Sequence, residues 1–418
     1  MLIDLNEFKG GCSCLREHEI SVKGIFIEDG AIERLPELLK DFKKPAVICD
    51  ENTYSAAGKR ACGLLGGCLA VVLSPENLHA DEKAVEKAAE MLTDDVDILV
   101  AAGSGTIHDT TRYIAAKRGI SFVSVPTAAS VDGFVSTVAA MTWHGFKKTL
   151  PAVAPKYVLA DSGIFSKAPM RLTAAGVCDL LGKYTALADW KISAVVTGEY
   201  ICERVCSLEE KALEEVSKCS ASLAAGDKAA YEKLMYALIL SGLAMQMVGN
   251  SRPASGAEHH LSHLWEMAVI NPPLDAYHGE KVSVGLFACL EFYGKINRAI
   301  KDHKIEIKPY GGLDKDFIRE CFGNGSLYDD IIKENTPDPL EKISPDDLNG
   351  KLEEIGKILD ALPEVSELQG IVKSVGGVFL PEQIELYGDI MEKSIKAAPY
   401  VRNRLTLMRI SKMMEVSS

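Results

Sequence analysis

A series of short apolar runs, each followed by a helix-like segment, constrains this chain more than any other feature. Pro45–Asp50 (PAVICD), Leu69–Ser74 (LAVVLS), Asp97–Gly103 (DILVAAG), Ser121–Thr127 (SFVSVPT) and Tyr157–Asp161 (YVLAD) are apolar nearly throughout rather than alternating. That pattern belongs to strands covered on both faces. Asp81–Leu92 and His108–Gly119 read as helices between them. Strand–helix alternation predicts a mostly parallel sheet with helices on both sides. After about Pro169 the texture changes, and stretches such as YEKLMYALILSGLAMQMVG carry a helical period. At 418 residues the chain is too long for one core. The expectation is an α/β domain over residues 1–168, an all-α domain over 169–418, and chemistry in the cleft between them. Lys333–Gly350 (KENTPDPLEKISPDDLNG) reads as a charged surface insertion with a turn and a helix start.

Charge excludes some partners. Lys and Arg number 46 against 59 Asp and Glu, so the formal net charge is 46 − 59 = −13. No basic stripe stands out, which argues against nucleic acid or an anionic membrane as the main partner. The N-terminus is acidic where a secretory signal needs basic and apolar residues, and the longest apolar stretch, Tyr236–Gly249, is too short to span a bilayer. Eleven scattered cysteines fit a reducing cytoplasm. Cys12-Ser13-Cys14, near His18, is half of a metal site without a second CxC or CxxC pair to complete it.

VAAGSGTIHDTTRYIAAKRG follows one of the strands and opens a helix. Gly103 and Gly105 permit a tight turn, and the helix N-terminus beyond it presents free N–H groups to a pyrophosphate. Ser104 lies within that turn, Thr106 adds a hydroxyl, and Asp109 either caps the helix or faces the nicotinamide. The pattern is GxGT rather than GxGxxG, a weak dinucleotide fingerprint taken alone. Thr127, Ser130 and Ser136 place hydroxyls at the next strand end, where open α/β folds bind ligands, with Asp132 among them. Asp50 ends a strand and is a candidate for holding a ribose hydroxyl.

GAEHHLSHLWE holds three of the nine histidines. His259 and His263 share a helical face, but His260 and His263 are also neighbours, so spacing leaves the pairing open. The glutamate of HExxH is missing, which argues against a zinc protease. His278 follows where a loop returns the chain to the next helix, and Gly279 lets that helix begin tightly. Asp179 sits in an apolar stretch, where either a metal or Lys183 one turn later would offset its burial.

Taken in order, GSGTIHDTTRYIA, VPTAASVDGFVS, GVCDLLGKYTALADW, SRPASGAEHHLSH and HGEKVSVG resemble the sn-glycerol-1-phosphate dehydrogenases. These lie within the superfamily of iron-containing alcohol dehydrogenases, glycerol dehydrogenases and dehydroquinate synthases. The resemblance runs over most of residues 40–290, and APYVRNRLTLMRI resembles the closing helix. It implies a Rossmann-like domain binding NAD or NADP and one divalent metal, zinc before nickel or iron, held by Asp179, His259 and His278. It also implies His263 on the substrate side of the cleft, a replaceable His260 and a substrate-side Asp132. Gly103, Ser104, Gly105, Thr106, Thr127, Ser130 and Ser136 become cofactor contacts. The implied reaction is reversible reduction of dihydroxyacetone phosphate by a homodimer or larger assembly. For the substrate phosphate, Arg252 is the first candidate and Lys147, Lys148 and Lys183 follow, the Lys147–Lys148 pair otherwise reading as a solvated turn. The rivals are a glycerol dehydrogenase acting on an unphosphorylated polyol, and a lyase of the dehydroquinate synthase kind. Asp179 stands where that lyase carries a Glu.

Overall fold

A computed structural model describes residues 3–417. Six strands form one sheet: β1 (Gly24–Glu28), β2 (Pro45–Asp50), β3 (Leu69–Leu73), β4 (Ile98–Gly103), β5 (Ser121–Pro126) and β6 (Tyr157–Asp161). Their order is β1-β6-β5-β4-β2-β3, and every pairing is parallel. The five strands read from the sequence fall within a residue or two of these bounds. The edge strand β1 does not announce itself, because only Ile25, Phe26 and Ile27 are apolar between glycine and glutamate. All six residues of β4 are buried, as a central strand covered on both faces requires.

The chain also makes an antiparallel hairpin, Val138–Trp143 with Phe146–Pro151. Its two-residue turn, His144-Gly145, has positive φ at both positions (51° and 79°), matching the twist of the flanking strands. Lys147 and Lys148 therefore lie on a strand, not in a solvated turn.

The helix α1 (Gly105–Arg118) follows β4. Beyond Pro169 come α2 (Met170–Leu181), α3 (Lys183–Thr197), α4 (Glu203–Ala224), α5 (Lys228–Val248), α6 (Ala257–Glu266) and α7 (His278–Lys301). This region is helical apart from one short pairing, Ile305–Ile307 with Met414–Val416. No helix among the described residues is long and apolar enough to cross a membrane.

The insertion Lys333–Gly350 is less superficial than its composition suggests. Asp338 and Arg409 are both fully buried, and the guanidinium Nη2 lies 2.7 Å from Asp338 Oδ2 and its Nε 3.2 Å from Oδ1. Arg409 also donates to Asn335 Oδ1 at 2.8 Å and to the Pro399 and Arg402 carbonyls. One buried two-pronged ion pair thus ties the insertion to the closing segment of the chain.

Candidate functional site

Three helices bring Asp179, His259 and His278 together. Asp179 is near the end of α2, His259 is in the first turn of α6, and His278 opens α7. One donor atom from each falls within 4.8 Å of the others. Glycine makes this approach possible. A Cβ on Gly279 would stand 1.9 Å from the Ala175 carbonyl oxygen, and one on Gly285 would stand 2.6 Å from that of Glu258. Side chains there would push α7 away from α2 and α6.

Each histidine is oriented from behind by a carboxylate. His259 Nδ1 lies 2.8 Å from Glu258 Oε1, and its Nε2 faces Asp179 Oδ1 at 3.4 Å. His278 Nδ1 lies 2.7 Å from Glu266 Oε1, which leaves its Nε2 for the cavity. A buried carboxylate facing two imidazole nitrogens, each backed by another carboxylate, is a donor set that fits a divalent cation. Glu266, His263 and His278 also come within 4.8 Å of one another. Both Glu266 oxygens are engaged, however, one by His278 and the other by Lys147 in a 3.0 Å ion pair.

The other two histidines of α6 differ in their surroundings. His263 stacks on His278 with ring centroids 5.7 Å apart, and its buried Nδ1 has no protein partner. His260 is buried with both ring nitrogens unpartnered, in the field of Arg404, Arg402 and Arg409. Burial pushes both imidazoles well below the usual histidine range, so both are neutral.

Lys183 joins the metal side to the Asp132 loop. Its fully buried ammonium sits 2.7 Å from the Asp179 carbonyl oxygen, 3.1 Å from Asp179 Oδ1 and 2.9 Å from Asp132 Oδ2. Burial works against an ionised Asp179, but Lys183 and His259 outweigh it and hold the carboxyl well below its ordinary range. Asp179 Oδ2 accepts the Asp132 N–H at 3.0 Å. Ser241 Oγ lies 2.9 Å from Asp132 Oδ2 and 3.1 Å from Glu209 Oε1. Burial raises the Glu209 carboxyl to about 8, so it is protonated at neutral pH and can donate. Three oxygens crowd Lys183, which leaves it no direction from which to meet a phosphate.

On the sheet side, Ser104 is the N-cap residue of α1, and Gly103 is required by contact: a Cβ there would meet Ile107 at 2.5 Å. Thr127 donates its N–H to the Gly103 carbonyl at 2.9 Å, joining the two loops. Ser130 Oγ is buried and has no protein partner. Ser136 Oγ is taken by Val138, donating to its carbonyl at 2.9 Å and accepting its N–H at 3.1 Å. Asp50 accepts the Thr53 N–H at 2.8 Å in a capping box, which occupies one of its oxygens. Burial raises the carboxyl of Asp109, 3.6 Å from Arg112. His108, buried beneath the loop, bonds Ser124 Oγ at 2.7 Å and is driven by burial to about 3, so it is neutral.

The basic candidates separate. Arg252 is buried against Glu199 (3.0 and 3.1 Å) and the Asp189 and Leu405 carbonyls, with Nη1 alone unpartnered. It fastens the segment before α6 to the closing segment. Lys147, Lys148 and Arg402 instead line a pocket of about 220 Å³. Lys147 connects this pocket through Glu266 to His278, and the Arg402 charge reaches His263. Glu258, Glu266 and Arg402 were not singled out from the sequence. Glu258 and Glu266 belong to the quoted histidine helix, and Arg402 to the closing APYVRNRLTLMRI segment.

This parallel sheet followed by helices is the fold of the iron-containing alcohol dehydrogenases. A profile described as iron-containing alcohol dehydrogenase matches residues 26–169. The crystal structure of a glycerol dehydrogenase from Schizosaccharomyces pombe superposes with a TM-score of 0.57 at 18% identity, covering 87% of this chain and 95% of that one. Glycerol-1-phosphate dehydrogenase [NAD(P)+] from Geobacillus thermodenitrificans (strain NG80-2) is 33% identical over 95% of this chain and 94% of its own. The enzyme of that name from Bacillus licheniformis is 42% identical over 68% of this chain and 74% of its own. The chain belongs to the glycerol-1-phosphate dehydrogenase family.

Proposed function

We propose that the chain catalyses the reversible NAD(P)-dependent reduction of dihydroxyacetone phosphate to sn-glycerol 1-phosphate, with Asp179, His259 and His278 holding one divalent cation. The convergence of these three donors, each imidazole backed by a carboxylate, carries the reading. Zinc suits the set best, and nickel or iron also suits it. When bound, NAD(P)H supplies the hydride and the cation supplies the charge that polarises the ketone.

The protein supplies position and proton handling. Gly103, Ser104, Gly105 and Thr106 receive the pyrophosphate at the start of α1. Thr127 and Ser130 extend that surface, and the unpartnered Ser130 hydroxyl is available to a ligand. Asp109 faces the nicotinamide side, and Asp50 offers its free oxygen to a ribose. Ser136 plays its part by shaping the loop through Val138. Asp132 faces the substrate, held by Lys183 and Ser241. His263, neutral with an open Nδ1, takes the proton when the alcohol is oxidised and returns it in reduction.

For the substrate phosphate we assign Lys147 and Arg402. They line one pocket, which Lys147 links through Glu266 to His278, whereas Lys183 is held by Asp132 and Asp179, and Arg252 keeps only Nη1 free of Glu199 and carbonyl partners. The working enzyme is a homodimer in the cytoplasm.

The test compares turnover of dihydroxyacetone phosphate with that of dihydroxyacetone, using NADH and NADPH, after metal loading. Strong preference for the phosphorylated ketone is expected. Equal turnover of both ketones would refute the phosphate assignment. Absence of nicotinamide oxidation with either would refute the reaction.

A further inference from the structure

The N-terminal arm carries a second group of ligating side chains, remote in sequence from the histidine helix. Cys12 opens a tight turn between two short antiparallel strands, Cys14 lies within it, and His18 ends the second strand. The turn closes through the Leu15 N–H to the Cys12 carbonyl at 3.0 Å. Leu15 takes a left-handed conformation, with φ of 65°. The fourth member, Cys202, comes from the N-cap position of α4.

The four donor atoms lie within 4.8 Å of one another. Cys12 Sγ is 3.7 Å from Cys202 Sγ. His18 Nε2 is 3.5 Å from both Cys14 Sγ and Cys202 Sγ. A tetrahedral zinc ion, with Zn–S near 2.3 Å and Zn–N near 2.05 Å, sets edges of about 3.8 Å between sulfurs and about 3.6 Å between sulfur and nitrogen. The observed separations match both kinds of edge.

The surroundings agree. His18 is 1% exposed, and its Nδ1–H donates to the Met247 carbonyl at 2.7 Å. A carbonyl can only accept, so that bond turns the Nε2 lone pair toward the thiols, the usual orientation of a ligating imidazole. The Tyr200 hydroxyl lies 3.2 Å from Cys14 Sγ and can donate to a thiolate there. Arg16 stacks over the Tyr200 ring, 3.4 Å from its centroid, placing a cation beside a cluster that would be anionic when loaded.

We propose that Cys12, Cys14, His18 and Cys202 form a structural zinc site that clamps the N-terminal arm onto the helical half of the molecule. The clamp joins the arm to the start of α4 and, through Met247, to the end of α5. The neighbouring Ser21 N–H donates to Gln246 Oε1 at 3.0 Å, and Gln246 Nε2 donates to the Val135 carbonyl beside the Asp132 loop. Zinc is the expected ion because three thiolates and one imidazole leave no open position and favour a soft, tetrahedral cation. The sequence offers only CxC and a histidine; the last ligand lies 184 residues beyond His18.

The full-length protein, loaded with cobalt in place of zinc, tests this. The Asp179 site contains no sulfur, so thiolate-to-cobalt charge transfer in the near ultraviolet reports the Cys cluster alone. The wild type should show that band with visible bands of tetrahedral cobalt. Cys202→Ser and Cys14→Ser should lose the band and one equivalent of metal per chain, and His259→Ala should keep the band. If the reading of the Asp179 site failed, metal content would fall by one equivalent and the band would remain. A fully loaded wild type without the band would overturn the proposal, as would a band unchanged in Cys202→Ser. A Cys12–Cys202 disulfide found by mass spectrometry in freshly isolated, metal-free wild type would also overturn it. These wild-type measurements decide the matter even if a variant fails to fold.

Discussion

Gly279→Ala is a one-carbon change that should disconnect the metal triad. The new Cβ would stand 1.9 Å from the Ala175 carbonyl oxygen, where real contacts begin near 3.0 Å, so α7 and α2 must separate by about 1.1 Å. That oxygen belongs to backbone and cannot rotate away. His278 immediately precedes Gly279, while Asp179 lies one turn beyond Ala175, so the displacement falls between two of the three ligands. Metal–ligand bonds tolerate errors of only about 0.2 Å. Metal affinity should fall by on the order of 100-fold or more, with kcat falling in parallel. Overpacking should cost about 1–3 kcal/mol of stability. Gly294→Ala is the control. It lies in the same helix, but its Cβ would meet only the flexible end of Arg298 at 3.6 Å, so metal and activity should persist and stability should rise by about 0.5–1 kcal/mol. The assay is metal per chain after equilibrium dialysis against a metal buffer, with kcat and a urea melt on the same samples. A Gly279→Ala enzyme with wild-type metal affinity and kcat would show that the contact does not hold the triad together.

Other outcomes follow from the same geometry. Glu258→Gln and Glu266→Gln should each weaken metal binding by roughly 10–100-fold while leaving all three ligands present, as competition with a chromogenic chelator would show. Arg402→Ala should raise KM for dihydroxyacetone phosphate with little change for dihydroxyacetone, whereas Arg252→Ala should lower stability and spare that KM; the reverse pattern would return the phosphate to Arg252. Asp338→Ala strands the Arg409 guanidinium in the core and should cost about 3–5 kcal/mol in a urea melt. Glu209, raised by burial to about 8, binds its proton more tightly folded than unfolded. Its contribution to stability is therefore complete below its unfolded range near 4.5 and declines as pH rises toward 8. Glu209→Gln should flatten the stability–pH curve between those limits, and an unchanged slope would show that Glu209 is ionised in the folded protein.

What the sequence revealed was set by how locally each feature is encoded. The buried strands were legible because a fully covered strand must be apolar at every position, a property of about six consecutive residues. The edge strand β1 was not, because its apolar residues are few and its partner distant; nor was the hairpin, whose second strand carries two lysines and whose His144-Gly145 turn lacks the usual Asn-Gly or Asp-Gly signal. The histidines show the same division. Spacing left the pairing of His259, His260 and His263 open, and family resemblance supplied roles. The structure adds the physical difference: His259 has Glu258 behind it and Asp179 before it, His263 stacks on His278, and His260 is buried with both ring nitrogens unpartnered. From the sequence, Lys183 reads both as an ion-pair partner of Asp179 and as a phosphate ligand. Only the fold could choose, because the deciding neighbour, Asp132, comes from the loop after β5, far away in sequence. Arg252 shows a related effect. A guanidinium beside the histidine motif reads as a ligand for the substrate, but Glu199 and the Leu405 carbonyl, distant in sequence, hold its Nε and Nη2 and leave only Nη1 free. In both cases a side chain's donors were committed to partners that only tertiary structure supplies. The same holds for Cys12 and Cys14, an incomplete motif until the chain returns with Cys202. Residue type and spacing can nominate a ligand, but its role follows from which of its polar atoms remain free once the chain has packed.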